Sequence, residues 1–190
     1  MIKGCDLSHF NGNVDFSELI KDEINFDYLK ATEGTFNIDQ TFIANAKKAM
    51  TLGLPVGAYH FFRPGLDGTE QARHFLGTIA STHLSLPPVL DWETSDGMRT
   101  SIQKLRARSF LDNVKAITGK MPLIYGSPSF LADLGLDDSY LSSKLWTANY
   151  GVHQPKIPRP WSNWTFWQYT DTNGMDLDYF NGTVEQLKLI

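Results

Sequence analysis

The stretch Leu86-Pro87-Pro88-Val89-Leu90-Asp91-Trp92-Glu93 is an apolar run that ends in two acidic residues. Such a run predicts a buried β-strand. Because alternate side chains of a strand point to the same face, Asp91 and Glu93 are expected to emerge together, with their Cα atoms about 6–7 Å apart. Two carboxylates this close repel each other, which raises the pKa of one and leaves a protonated acid beside an ionised partner. That pair suits cleavage of a glycosidic bond, but a carboxylate after a strand also commonly caps the next helix or binds a turn amide.

Short apolar runs alternate with helical patterns along most of the chain. The apolar runs predict eight strands, at residues 2–7, 26–32, 54–62, 86–90, 122–125, 144–150, 164–170 and 175–180. Helical spacing predicts helices at 15–22, 39–52, 68–80, 99–117 and 129–134. The longest of these is expected to bury one apolar face, made of Ile102, Leu105, Ala107, Phe110, Leu111, Val114 and Ile117.

Alternating strands and helices predict parallel strands, and eight strands favour a closed barrel over a smaller doubly wound sheet. The expected fold class is α/β, an abbreviated TIM-like barrel without helices between its last strands. Active groups of such barrels sit at the carboxyl ends of the strands. Asp6, Asp91 and Glu93 all lie at such ends, so a barrel would bring them together although they are distant in sequence.

Composition narrows the classes of protein that this chain can belong to. Its 190 residues suffice for one good-sized core, so residues 1–190 are expected to form a single domain without a separate binding module, acting as a monomer. The net charge of −4 gives no basic footprint for nucleic acid. The only cysteine, Cys5, excludes an intramolecular disulfide. No apolar segment resembles a secretory signal or a membrane span, so we expect synthesis in the cytoplasm and release by lysis, by an export machine or through a removed leader.

A metal site is the main chemical alternative at these strand ends. Asp6, His9, His60, Asp91 and Glu93 together have the donor atoms of a hydrolytic metal centre. The histidines lack a tight zinc spacing such as His-Glu-x-x-His, and carboxylates alone favour hard, weakly held ions. We therefore expect no required metal and no cofactor. A serine hydrolase is disfavoured because the chain has no Gly-x-Ser-x-Gly motif.

Five motifs in the chain carry a family resemblance. They are Gly4-Cys5-Asp6-Leu7-Ser8-His9-Phe10-Asn11-Gly12, Lys30-Ala31-Thr32-Glu33-Gly34, Gly57-Ala58-Tyr59-His60-Phe61, Asp91-Trp92-Glu93 and Met175-Asp176-Leu177-Asp178-Tyr179-Phe180. In this order, from Gly4 to about Gly182, they resemble the motifs of glycoside hydrolase family 25 lysozymes. These are the Chalaropsis-type N-acetylmuramidases of fungi, bacteria and phage endolysins.

The resemblance implies an irregular barrel of five βα units followed by three strands. It also implies hydrolysis of the β-1,4 bond between N-acetylmuramic acid and N-acetylglucosamine in bacterial peptidoglycan, with Glu93 as the general acid and Asp91, Asp6 and Asp176 as the other carboxylates. Configuration would be retained whether Asp91 acts as the nucleophile or orients the 2-acetamido group of the substrate. Asp178 stands where the family often has asparagine, so either Asp176 or Asp178 could be the acid that faces the site. We select Asp176 as the site residue.

Sugar binding is expected from Tyr59, Tyr125, Trp146 and Gln168, each near the carboxyl end of a predicted strand. Aromatic rings also fill barrel interiors, so a core role for each ring is the alternative. Lys30 is expected to meet an acidic group of the substrate or to pair with Glu33. A non-catalytic, carbohydrate-binding barrel is the alternative function, and the complete acidic set argues against it. A phage endolysin or a secreted effector would fit the absence of a leader.

Overall fold

A computed structural model describes residues 1–171 and 174–190 of the chain. Within these residues the strands are β1 (Ile2–Leu7), β2 (Asp27–Glu33), β3 (Asn37–Ile38), β4 (Val56–Phe61), β5 (Val89–Asp91), β6 (Leu123–Gly126), β7 (Leu145–Ala148), β8 (Phe166–Thr170) and β9 (Asp176–Phe180). The α-helices are α1 (Phe16–Lys21), α2 (Phe42–Thr51), α3 (Gly68–Ile79), α4 (Thr100–Thr118), α5 (Pro128–Asp133) and α6 (Val184–Leu187). No helix in the described ranges is long and apolar enough to cross a membrane.

Eight of the strands form a closed barrel. Their order is β1-β9-β8-β7-β6-β5-β4-β2, and pairing of β1 with β2 closes the ring. All neighbours are parallel except that β9 runs antiparallel to both β1 and β8. Helices α1 to α5 each follow one of the first five barrel strands, and within the described ranges no α-helix lies between the last three. The predicted α/β barrel with five βα units followed by three strands is confirmed.

Alternation along the strands divides the apolar residues between two cores. Inward residues fill the barrel interior with rings, among them Phe26, Tyr28, Trp146, Phe166 and Phe180. Outward residues pack beneath the helices in a second, larger cluster. Gly57 on β4 belongs to the inner set, because a Cβ atom there would lie 2.1 Å from the ring of Tyr28. The interior is therefore a packed core.

The bounds of several elements differ from the predicted ones for local reasons. Strand β5 begins at Val89 rather than at residue 86, because the two prolines before it have no N–H to donate to a neighbouring strand. Helix α2 begins at Phe42 rather than at residue 39, because the carboxylate of Asp39 accepts hydrogen bonds from the backbone and hydroxyl of Thr41 and holds a turn. The sequence analysis missed β3 and α6, which are too short to show a hydrophobic period.

The predicted buried face of α4 is partly wrong. Leu105 is 64% exposed and Ile117 is 74% exposed. The buried face instead centres on Ala107, Phe110 and Leu111 and includes the amide of Gln103. Leu105 lies two residues after Gln103, which places it on the opposite side of a helix with 3.6 residues per turn. Ile117 lies in the last turn of the helix.

Candidate active site

A cleft opens at the end of the barrel where the parallel strands terminate. Its empty volume is about 600 Å³. The lining residues are Asp6, Ser8, Phe10, Lys30, Tyr59, Phe61, Val89, Asp91, Glu93, Tyr125, Trp146, Gln168 and Asp176. Every catalytic and sugar-binding residue predicted from the sequence is in this set. Barrel closure thus gathers side chains from all eight barrel strands and from the segments after β1 and β5 into one cleft.

The end of strand β5 positions the acidic pair of Asp91 and Glu93. Asp91 is its last residue, 5% exposed, and its Oδ1 atom is buried without a partner in the described residues. Glu93 lies two positions on and its side chain reaches the open cleft. Trp92, between them, points to the outer side of the barrel and packs against Phe62 and Phe130 with ring centroids 5.7 and 6.4 Å away. The pair therefore shares one face of the strand, as its alternation predicts.

Burial and mutual repulsion raise the pKa values of both carboxyls of this pair. For Asp91 burial is the largest cause, the negative charge of Glu93 adds to it, and the pKa lies well above the usual range. For Glu93 desolvation at the cleft wall is the largest cause, and the negative charge of Asp176 raises the pKa further. Hydrogen bonding with Asp91 and the charge of Lys30 oppose the rise for Glu93. The two groups titrate as one coupled pair that readily holds a proton.

Asp6 and Asp176 face each other across the barrel seam. They are paired residues of β1 and β9. Because β9 is antiparallel to β1, its first residue lies at the same end of the barrel as the end of β1. Burial and the nearby charge of Asp176 raise the pKa of Asp6, and burial also raises the pKa of Asp176. The cleft therefore holds carboxyls on both sides.

A chain of hydrogen bonds fixes the orientation of Asp6. The side-chain amide of Gln168 donates to Asp6 Oδ2 at 2.7 Å. The hydroxyl of Tyr125 donates to Gln168 Oε1 at 2.7 Å, and the hydroxyl of Tyr150 donates to the same oxygen. Two donors on Oε1 leave the nitrogen of this amide facing Asp6. Gln168 and Tyr125 thus hold a carboxylate as well as lining the cleft.

The structure separates the two acids of β9. Asp176 is half-buried and lines the cleft. Asp178 is fully buried behind it, outside the lining set, and its Oδ1 accepts a hydrogen bond from Trp146 Nε1 at 2.9 Å. Asp176 is thus the one of the two that a ligand in the cleft would meet.

The aromatic and basic residues take mixed positions. Trp146 and Tyr125 have one edge in the cleft but are 2% and 8% exposed, with ring centroids 5.0 Å apart, so they serve the core as well. Lys30 pairs with Glu33 at 2.8 Å and lies 4.8 Å from the ring centre of Phe61. The predicted pairing of Lys30 with Glu33 is therefore present, and its ammonium still borders the cleft.

Sequence reasoning missed four lining residues. Ser8 and Phe61 lie two positions after Asp6 and Tyr59, and Val89 lies two positions before Asp91. The period of two along a strand places each on the same face as its predicted neighbour and could have identified it. Phe10, in the short 3₁₀ turn after β1, is 82% exposed at the mouth of the cleft.

The alternative metal set is not assembled. His60 is fully buried on the outer side of β4, where its ring stacks on Phe110 with centroids 4.8 Å apart. It points away from the inner face because it follows Tyr59 by one position. Among residues 1–171 and 174–190, no three His, Cys, Asp or Glu side chains are grouped to hold a metal ion.

Comparison with known proteins identifies the family. The family model of glycosyl hydrolases family 25 matches residues 5–176. Lysozyme M1 of Streptomyces globisporus is 33% identical over 205 residues, covering 98% of this chain and 70% of that protein. The N,O-diacetylmuramidase of Chalaropsis sp is 30% identical over 206 residues, covering 98% of this chain and 97% of that protein. A family GH25 lysozyme from Aspergillus fumigatus superposes with a TM-score of 0.93 at 30% identity, covering 99% of this chain and 97% of the other. The chain therefore belongs to glycosyl hydrolases family 25 and is a glycoside hydrolase.

Proposed function

We propose that this glycoside hydrolase is a lysozyme that cleaves the β-1,4 bond between N-acetylmuramic acid and N-acetylglucosamine in bacterial peptidoglycan. The observation that carries the proposal is the coupled pair of Asp91 and Glu93 at the end of β5, facing Asp6 and Asp176 across one cleft. The relatives that are named lysozyme or muramidase cover nearly the whole of this chain. Residues 1–190 act as one catalytic unit in this proposal.

Glu93 is the general acid of the proposed reaction. Its side chain reaches the open cleft, where it can approach a glycosidic oxygen, whereas Asp91 is buried. Desolvation and the charge of Asp176 favour its protonated form. Protonation of the leaving oxygen by Glu93 would let the C–O bond break through an oxocarbenium-like transition state.

Asp91 stabilises the positive charge that develops on the sugar. Among residues 1–171 and 174–190 no group donates a hydrogen bond to its buried Oδ1, and burial raises its pKa well above the usual range. Before substrate binds, the pair of Asp91 and Glu93 therefore shares a proton. An amide N–H of a 2-acetamido group, donated to Oδ1, would stabilise the Asp91 anion and shift the proton to Glu93, which then has the form that the reaction needs.

The proposed reaction retains the configuration of the anomeric carbon. Asp91 lies on the same strand end as Glu93, so its carboxylate can either attack the anomeric carbon or orient the acetamido oxygen that does so. In both routes water attacks in the second step, with Glu93 acting as the base. Asp6 and Asp176 add negative charge opposite the pair and hold hydrogen bonds rather than attack carbon.

The remaining lining residues bind the glycan. Tyr59, Tyr125 and Trp146 offer apolar edges to sugar rings, while Gln168 is fixed by its own hydrogen bonds. Lys30 lies where it can meet an acidic group of the substrate. The target in this proposal is the bacterial cell wall, reached after lysis or export, as for an endolysin.

The first experiment is digestion of purified peptidoglycan by the wild type and by Glu93→Gln, with new reducing ends reduced and identified by mass spectrometry. We expect reduced muramic acid from the wild type and a loss of activity of at least about 10³-fold in the variant, because the amide cannot donate the proton of an acid. Glu18→Gln, on the exposed surface of α1, is the matched control and should behave as the wild type.

The anomer formed first should be β, as NMR spectra recorded within the first minutes can establish. Reduced glucosamine would contradict the assigned bond, and an α anomer would contradict retention. Near-normal hydrolysis by Glu93→Gln would remove Glu93 from the role of acid. No new ends on any wall preparation would favour a binding function over catalysis.

A further inference from the structure

Asp178 is a buried carboxyl directly behind the cleft. It lies on β9, between Gly4 of β1 and Gln168 of β8 in the strand register. Its side chain is 0% exposed, so its polar atoms depend wholly on partners within the protein. The contacts of Asp178 show whether it is charged there.

The two carboxyl oxygens of Asp178 differ in the hydrogen bonds that they receive. Oδ1 accepts the indole N–H of Trp146 at 2.9 Å. Oδ2 is buried and receives no hydrogen bond from a donor group of residues 1–171 or 174–190. In the register of β1 and β9, Asp178 pairs with Gly4 and Asp176 pairs with Asp6, so Asp178 lies diagonally next to Asp6. A hydrogen bond between the two carboxyls raises the pKa of Asp178 and lowers that of Asp6, and the carboxylate of Asp6 has no N–H or hydroxyl of its own to offer. Two ionised carboxylates cannot hydrogen-bond to each other, so this contact needs a proton on one of them.

In the described part of the chain, the charged neighbours that act most strongly on the carboxyl of Asp178 are acids rather than cations. The titratable groups around Asp178 are Asp6 and Cys5 on β1, Tyr28 on β2, Tyr169 on β8 and Asp176 on its own strand. All of them are neutral or negative. Placing two uncompensated carboxylates side by side in a buried site is strongly unfavourable, which favours retention of a proton.

We propose that Asp178 holds a proton on Oδ2 and donates it in a hydrogen bond to the carboxylate of Asp6, so that the two acids together carry one negative charge. Asp178 is then a positioning residue that fixes Asp6 from behind while Gln168 fixes it from the side. Its effect on turnover rests on the proposed function, but its protonation state does not.

The distribution of donors places the proton on Asp178 rather than on Asp6. Gln168 Nε2 already donates to Asp6 Oδ2 at 2.7 Å, which stabilises the anion there. Asp6 borders the cleft and is 7% exposed, whereas Asp178 is fully buried. Burial, followed by the charge of Asp6, holds the pKa of Asp178 well above the usual range. If Asp178 is a neutral acid, its Oδ1 accepts the hydrogen bond from Trp146 and its O–H donates a hydrogen bond to Asp6.

The charge of the protein tests this directly. Asp178→Asn replaces a neutral acid by a neutral amide of the same shape, whose Nδ2 can donate to Asp6. At about pH 8, where ordinary carboxylates are ionised, capillary electrophoresis should show no change in net charge for this variant. Asp133→Asn, an exposed residue at the end of α5, is the control and should lose one negative charge. A shift of one charge for Asp178→Asn, in either direction, would overturn the proposal.

Infrared difference spectroscopy supplies a second readout. The spectrum of Asp178→Asn minus that of the wild type at about pH 8 should show the loss of one protonated-carboxyl C=O band. If no such band is lost, Asp178 does not carry the proton. Both measurements are made without substrate, so a protein that failed to cleave peptidoglycan would still give an answer.

Activity measurements then test whether Asp178 positions Asp6 or only fills space in the core. Asp178→Asn should keep kcat within about threefold of the wild type, whereas Asp178→Leu should lower kcat by at least about tenfold because Asp6 loses its donor. Equal activity of the two variants would contradict the positioning role, and so would loss of activity in Asp178→Asn. If Asp178→Leu does not fold, the net charge and the kcat of Asp178→Asn still test the proposal.

Discussion

At the scale of single residues, Trp146 shows how one side chain serves both the core and the site. Its ring packs against Tyr28 and Tyr125 with centroids 4.8 and 5.0 Å away. Its indole N–H reaches Asp178, which in turn contacts Asp6. The position of an acid in the cleft therefore depends on a ring in the barrel interior.

Trp146→Phe should destabilise the protein more than Trp92→Phe. Both rings are almost fully buried, so the two substitutions remove similar volume. Trp146 gives up a hydrogen bond to a buried carboxyl, whereas Trp92 Nε1 has no partner in the described part of the chain. We expect Trp146→Phe to cost about 1–3 kcal/mol more. Urea denaturation at neutral pH measures both, and equal costs would show that the indole N–H does not stabilise the fold.

At the scale of elements, a buried polar network joins β2, β4 and α3. The amide nitrogen of Gln71 donates to the carbonyls of Arg63 and Leu66, so its Oε1 faces His60 Nε2 at 3.0 Å. His60 must therefore donate from Nε2, and its Nδ1 accepts from the hydroxyl of Thr32 at 2.7 Å. Burial lowers the pKa of His60 to about 3, so the ring is neutral and holds the helix against the barrel wall.

Gln71→Leu should be more costly than Gln103→Leu. Both glutamines are buried on helices, but Gln103 makes one side-chain hydrogen bond, to the carbonyl of Met98, and its Oε1 has no partner in the described part of the chain. Replacing Gln71 by leucine leaves the N–H groups of His60 and Arg63 without an acceptor. It also leaves the carbonyls of Arg63 and Leu66 without this donor. We expect a loss of roughly 3 kcal/mol or more for Gln71→Leu and about 1 kcal/mol for Gln103→Leu. The midpoints of chemical denaturation compare them, and a larger loss for Gln103→Leu would refute the assigned network.

At the scale of the whole molecule, buried acids set the pH dependence of stability. Burial is the main cause that raises the pKa values of Asp27, Asp91 and Asp178 in the folded protein well above their unfolded values. The folded state then binds more protons than the unfolded chain, so stability falls as pH rises toward the folded pKa values. His60 acts in the opposite sense, because its lowered pKa makes stability fall as pH drops from about 6.5 toward 3. Stability should therefore be greatest at mildly acidic pH.

The free energy of unfolding should decrease as pH rises above about 4, the pKa of an aspartate in the unfolded chain, with Asp27 contributing up to ~1.4 kcal/mol per pH unit until the folded pKa is reached. Asp27 is fully buried outside the cleft, and its Oδ1 accepts a hydrogen bond from the thiol of Cys5 at 3.6 Å. Asp27→Asn should flatten this slope, while Asp133→Asn should leave it unchanged. Denaturation curves at several pH values test this, and an unchanged slope in Asp27→Asn would show that Asp27 is ionised in the folded state.

The closure of the barrel also explains which parts of the fold were predictable. The eight strands and five helices were found because their apolar periods are local properties of the sequence. The antiparallel direction of β9 was not predicted, because strand direction depends on the connection from β8 and on the neighbours that close the ring. The buried face of α4 was misjudged at Leu105 and Ile117, since apolar residues at helical spacing do not show where the barrel surface ends.

The sequence by itself determined the barrel class and the family and predicted a set of acids, because strand periodicity and short motifs are encoded in neighbouring residues. Only the tertiary structure decided which acid of β9 enters the cleft. Asp176 and Asp178 share one face of the strand, and their difference arises from depth: Asp176 lies at the open end, whereas Asp178 lies one repeat deeper, beneath Asp6 and against Trp146. Depth in a closed barrel depends on the register between distant strands, and no local pattern specifies it.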